Sequence, residues 1–260
     1  MFGLFKGKKV AQIEDEDVVV EVADYNDVTK IAEYFKNETG VTFENQTGIL
    51  KNKVMTFCKL REIYSFTTLL SLVNSDADVK QELVDYLTTN ETFFYRELKQ
   101  IEELVALVKT SDSSVNILCA PCATGEEPYS IAIALLEAGI GSEKFSIVGI
   151  DVNADALKKA KEAIYRQRNV RNLSAKIIRD YFNHENGLYS LKNTIKSSVS
   201  FKLANLFDDS FKSLGKFDFI FSRNMLIYFD KETKLKAKNI LESMRKNDKQ
   251  NIFFGHADLF

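Results

Sequence analysis

The stretch from Val115 to Asp151 constrains the fold of this chain more than any other. Val115–Ala120 and Phe145–Ile150 are short apolar runs of strand length. Between them Pro128–Leu136 reads as a helix with proline in its first turn, where a missing N–H costs nothing. Strand, loop, helix and strand this closely spaced make one crossover of a parallel sheet. The alternation continues downstream. Asn153 is placed to cap a helix carrying Leu157, Ala160 and Ile164. Phe217–Ser222 reads as a buried strand, and Asp230 caps a helix with Ala237, Ile240, Leu241 and Met244 on one face. Ile252–Gly255 is a last short strand. The expected class is α/β, with a mostly parallel, Rossmann-like sheet.

Two regions depart from that rhythm. From Asp27 to about Leu87 the pattern is helical: Ile31, Tyr34 and Phe35 share a face, then Val54, Phe57 and Cys58, then Phe66, Leu69, Leu70 and Val73. Between Leu173 and Leu206, Val199, Phe201 and Leu203 alternate with polar residues, and Gly187 precedes an extended-looking LYSL. This is the texture of a small antiparallel subdomain inserted in the sheet domain. The expected organisation is a poorly ordered tail over 1–20, a helical N-terminal domain over 21–88, and an α/β domain over 89–260 with the insertion at 180–204.

Bulk properties narrow the function. A net charge of −2 gives no global sign of nucleic-acid binding. No apolar run approaches the ~18–20 residues of a membrane span, and the charges of MFGLFKGKKV follow a very short apolar stretch, the reverse of a secretory signal. Three cysteines do not form a complete set of pairs, so reduced thiols in the cytoplasm are expected.

In open α/β sheets ligands sit at the carboxyl ends of strands, against a helix N-terminus. Here the loop is CAPCATGEEPYS. Gly125 gives the backbone room to approach a ligand. Asp151, at the end of the next strand, lies at about the usual ~20-residue interval for an acid that binds ribose hydroxyls; its ordinary alternative is a turn or helix cap. A dinucleotide would need G-x-G-x-x-G for its pyrophosphate. The loop instead has one glycine, and Glu126 and Glu127 stand where phosphates would be repelled. S-adenosylmethionine has no phosphate and carries a sulfonium and an ammonium, which acidic residues suit. Favourable placement at a helix N-terminus is the alternative for either glutamate. Cys119-Ala-Pro-Cys122 is a C-x-x-C, but TGEE separates it from the helix, so a thioredoxin-like site is not expected. Cys58, His184 and His256 lack metal-ligand spacing, and no metal is expected.

Seven segments resemble one family in order and spacing: TTNETFFYRE (88–97), ATGEEPYSIA (123–132), GID (149–151), AIYR (163–166), LANLFD (203–208), SRNMLIYFD (222–230) and GHAD (255–258). It is the chemotaxis receptor methyltransferase family, the CheR proteins, whose members usually continue beyond this last motif into a closing strand. The resemblance implies methyl transfer from S-adenosylmethionine to glutamates of membrane chemoreceptors, with S-adenosylhomocysteine as product. It implies cofactor contacts at Asn90, Thr92, Arg96, Glu127, Asp151, Asn205, Leu206, Arg223 and Asn224. Arg96 and Tyr228 are the candidates for orienting the incoming carboxylate. In the family a basic N-terminal helix contacts the receptor, and Lys51, Lys53, Lys59 and Arg61 are the matching residues here, a solvated face being the plain alternative. The expected protein is a monomeric cytoplasmic enzyme recruited to receptor arrays, without membrane insertion. Methylation of another carboxylate, or a cofactor-sensing module without turnover, are the competing readings.

Overall fold

Apolar residues at helical spacing fold the first part of the chain. The computed structural model describes residues 23–248 and 251–258, so the tail expected over 1–20 lies outside the described residues. Helices α1 (Thr29–Thr39), α2 (Thr47–Leu60), α3 (Phe66–Ser75) and α4 (Ala77–Leu87) each bury one stripe. Ile31, Phe35, Leu50, Val54, Phe57, Leu69 and Leu83 meet in a shared apolar cluster. The side chains of Ser65 and Asp76 start α3 and α4 by accepting backbone N–H groups of the first turn. An amphipathic α5 (Leu98–Lys109) then turns Ile101, Leu104 and Val108 inward.

Beyond α5 the chain alternates through β1 (Val115–Cys119), α6 (Glu126–Glu137), β2 (Phe145–Asp151), α7 (Ala154–Glu162), β3 (Ile164–Arg166), α8 (Gln167–Val170) and α9 (Ala175–Tyr181). It goes on through β4 (Phe182–Glu185), β5 (Leu188–Leu191), α10 (Asn193–Lys196), β6 (Val199–Leu203), α11 (Asp209–Lys212), β7 (Phe219–Ser222), α12 (Lys231–Ser243) and β8 (Ile252–Phe254). The main sheet has the order β6-β2-β1-β7-β8, parallel throughout, with Ile117 level with Ile147 on one side and Phe219 on the other. Strand order reverses between β1 and β7, which opens a crevice at their carboxyl ends. Among the described residues no helix is long and apolar enough to cross a membrane.

Four expectations need correction. Val199–Leu203 is not part of the antiparallel insertion; it pairs in parallel with Ile147–Asp151 as an edge of the main sheet. The small antiparallel sheet has the order β3-β5-β4, so it draws on 164–166 and 182–191 rather than on 180–204. Period 2 marks a half-buried strand but not its partner, and an edge strand of a parallel sheet shows the same alternation as a hairpin. Ile164 is not on α7. The helix stops at Glu162, Ala163 takes φ +54°, and Ile164 is a half-exposed strand residue. The seven-residue step from Leu157 to Ile164 satisfies a helical period, and alanine gives no sign of a left-handed stop. Finally, α6 begins two residues before Pro128, with Gly125 as its N-cap at φ +90°.

Candidate functional site

The β1–α6 loop reaches the crevice because Gly125 permits both its backbone and its neighbours. A Cβ at Gly125 would stand 3.0 Å from that of Ala160 and 3.2 Å from the rings of Phe201 and Tyr129, on a backbone that L side chains rarely adopt. At this loop a cavity of about 500 Å³ opens between the sheet and the N-terminal helices. Asn90, Thr92, Arg96, Glu127, Asp151, Asn205, Leu206, Arg223, Asn224 and Tyr228 all line it. Residues far apart in sequence are thus gathered from the segment before α5, four strand ends and the turn after β7.

Asp151 is 5% exposed, and both of its oxygens hold backbone. Oδ2 accepts the N–H of Ala123 (2.8 Å) and Oδ1 that of Asn153 (2.9 Å). It therefore braces the β1–α6 loop while facing the cavity, which joins the two alternatives for this residue. Burial pushes its carboxyl up to about 6 against the opposing pull of those N–H bonds, and Asp85 adds to the rise.

Glu127 and Glu126 part company. The Glu126 side chain turns away from the cavity, accepting from Thr124 Oγ1 (2.6 Å) and Asn169 Nδ2 (2.7 Å), and ties the loop to α8. Glu127 Oε2 pairs with Arg223 Nε, whereas its buried Oε1 has no hydrogen-bond partner among the described residues. Burial raises the Glu127 carboxyl, and Arg223 pulls it back. Arg223 is itself buried, and its Nη1 donates to the carbonyl of Arg96 (2.8 Å) and lies 4.0 Å from the Glu97 carboxylate. Arg223 is shared by two carboxylates, His256 Nδ1 lies 3.1 Å from that of Glu97, and Glu127 Oε1 remains the buried acceptor open to a donor from the cavity.

The segment before α5 divides its side chains between core and cavity. Phe94 is fully buried, edge-on to Tyr165 (4.9 Å) and Phe182 (5.3 Å). The Arg171 guanidinium covers Phe93 at 3.7 Å. Ser130 Oγ accepts the N–H of Tyr95 (3.0 Å), and both Tyr95 and Glu97 take positive φ. Asn90, Thr92 and Arg96 are left facing the cavity. The Arg96 side chain donates to the carbonyl of Glu91 (3.2 Å) and has no ion-pair partner among the described residues. Tyr228 is 38% exposed at the mouth rather than a core aromatic. Asn205 Oδ1 accepts the N–H of Phe207 (3.0 Å), while its Nδ2 donates to the carbonyl of Glu38. Its side chain thereby joins α1 to the loop after β6.

One part of the wall had no sequence signal: Val41, Thr42, Phe43 and Gln46, from the loop between α1 and α2, line the cavity together with Asn224 and Tyr228. The Thr42 N–H donates to the carbonyl of Tyr228 (2.9 Å), and Lys36 pairs with Asp230. A loop without periodicity offers nothing for pattern reading to detect. The four basic residues do not form one patch. Lys53 lines the cavity and Lys59 faces outward. Lys51 donates to the carbonyl of Asn26 (3.1 Å), and Arg61 pairs with Glu82 (2.6 Å) and lies 3.8 Å above the ring of Phe57. Cys119 and Cys122 are free, buried thiols that burial holds well above the ordinary range, and α6 starts only at Glu126.

The chain is similar in sequence to known proteins. A family model described as "CheR methyltransferase, SAM binding domain" matches residues 90–260. The chain is 38% identical over 224 residues to a chemotaxis protein methyltransferase of Campylobacter jejuni, covering 85% of this chain and 84% of that one. It is 33% identical over 247 residues to chemotaxis protein methyltransferase 2 of Vibrio cholerae, covering 89% and 85%. With the chemotaxis protein methyltransferase of Escherichia coli the identity is 28% over 240 residues, covering 89% and 83%.

Proposed function

Because the chain belongs to the CheR methyltransferase family, we propose that it methylates glutamate side chains of chemotaxis receptors, using S-adenosylmethionine and forming glutamyl methyl esters. The cofactor, when bound, supplies an electrophilic methyl group on a cationic sulfonium. The residues fit it. Glu127 Oε1 is a buried acceptor in search of a cation, and Asp151 is a strand-end acceptor for ribose hydroxyls. Asn90, Thr92, Asn205, Leu206 and Asn224 complete that part of the cavity.

A glutamate near its ~4.3 reference pKa is ionised at neutral pH, so the chain needs no general base. What it must do is hold the carboxylate in line and keep water from the two opposite charges, which water prefers to leave separated. Arg96 is the cation for the first task, and Tyr228, at the mouth beside Thr42, borders the entry. Lys53 adds a second cation from α2. The observation that carries the proposal is this junction: an unpaired guanidinium at Arg96 shares one cavity with the orphan oxygen of Glu127, so sites for an anion and a cation face the same space.

The test is incubation with methyl-labelled cofactor and receptor-containing membranes. Base-labile label on receptor glutamate is expected in the wild type and lost in Arg96→Ala. Cofactor binding without transfer to the receptor would sink the proposal.

A further inference from the structure

The motif Gly255-His-Ala-Asp258 lines no part of the cavity, yet Asp258 is fully buried. Its carboxylate sits behind the turn that runs from Arg223 to Tyr228. Oδ2 accepts the backbone N–H groups of Asn224 and Gly255 (3.2 Å for the latter), and Oδ1 accepts that of Ile227 (3.2 Å). Asn224 needs such support because it holds a left-handed backbone at φ +60° without being glycine. Gly255 keeps the approach open. A Cβ there would stand 2.9 Å from the backbone nitrogen of Asn224 and 2.9 Å from Asp258 Oδ2. The turn itself presents Asn224 and Tyr228 to the cavity.

We infer that Asp258 is a positioning residue for methyl transfer: from outside the cavity its carboxylate fixes the turn that sets Asn224 against the cofactor and Tyr228 against the acceptor, and Gly255 admits it. The inference rests on the proposed acceptor reading for its effect on turnover, and not for its effect on the turn. Asp151, Glu127 and Asn90 come from other segments of the chain, so seating of the cofactor depends on this turn only in part, through Asn224. An amide in place of the carboxylate turns an N–H group towards the turn's own N–H donors, and the turn loosens.

In the full chain, Asp258→Asn is expected to lower kcat on the order of tenfold or more, with cofactor Kd changed by less than about threefold. Gly255→Ala, which leaves the carboxylate in place but crowds it, is expected to give the same split. Amide exchange over 223–228 should quicken in both variants while that of α6 stays as in the wild type. An unchanged kcat in a folded variant, or kcat and cofactor affinity falling by one common factor, overturns the inference. If Asp258→Asn does not fold, Gly255→Ala decides on the same readings. Should the wild type transfer no methyl to receptors, the acceptor reading fails by itself, and unaltered exchange at 223–228 still overturns the role given to Asp258.

Discussion

Asp151 shows how one carboxylate can brace the backbone and still line a cavity. It holds the N–H groups of Ala123 and Asn153 and still faces the cavity. Its folded pKa of about 6 lies above the ordinary aspartate value, so the group adds stability below the unfolded pKa. That contribution is lost as pH rises through about 6. Cofactor affinity has the opposite sign, because the ribose needs an acceptor: it should climb as Asp151 ionises and level off above about pH 6. Calorimetric titration from pH 5 to 8 would show this, and Asp151→Asn should flatten the profile and weaken binding on the order of tenfold. A pH-independent wild-type affinity would contradict the ribose role. Asp151 and Glu127 were legible as residues because strand ends and helix starts have fixed places in an α/β unit. That Glu126 faces α8 was not legible, since adjacent helix positions differ by about 100° and only the fold says which one looks into the cavity.

At the scale of elements, α2 separates the four basic residues that the family resemblance groups as a receptor contact. Lys51 and Lys53 are two residues apart and so point to nearly opposite flanks of the helix. Only Lys53 reaches the cavity, while Arg61 is held by Glu82 and Phe57. Lys53→Glu should therefore raise the receptor KM about tenfold and leave cofactor affinity alone, whereas Lys59→Glu should change either by less than about threefold. Equal effects of the two in a receptor titration would mean that the whole helix face, not the cavity wall, meets the acceptor. The long helices were readable because each repeats its period several times, and β1, β2 and β7 because each is a continuous apolar run of strand length. β3 was not, being three residues long and continuous with the helical period of α7.

For the whole molecule the decisive contact joins α4 to the start of α7. Asp85 Oδ1 accepts the N–H of Ala154 (2.7 Å) and the Gln81 amide (2.8 Å), and Asn153 Nδ2 donates to the Asp85 carbonyl (3.0 Å) and to Thr88 Oγ1 (2.7 Å). A carboxylate from the helical layer thus caps a helix of the sheet layer. Asp85→Ala should cost about 1–3 kcal/mol of stability, read in denaturant unfolding. Removing that negative charge should also lower the pH midpoint of cofactor binding, because Asp85 helps to raise Asp151. Pattern reading divides a chain into layers but is blind to contacts such as this one, whose partners are 69 residues apart.

The loop after α1 has a kinetic consequence. The loop is anchored at Thr42 to Tyr228 and beside the Lys36–Asp230 pair, and in the cavity it lines Asp151 and Glu127 are buried while Tyr228 stays in contact with solvent. A protein substrate pressed against that outer rim would seal the way in. With a receptor as acceptor, turnover is expected to follow a fixed sequence: the nucleoside enters first, the receptor second, and the spent nucleoside leaves last, an order that product-inhibition kinetics would check.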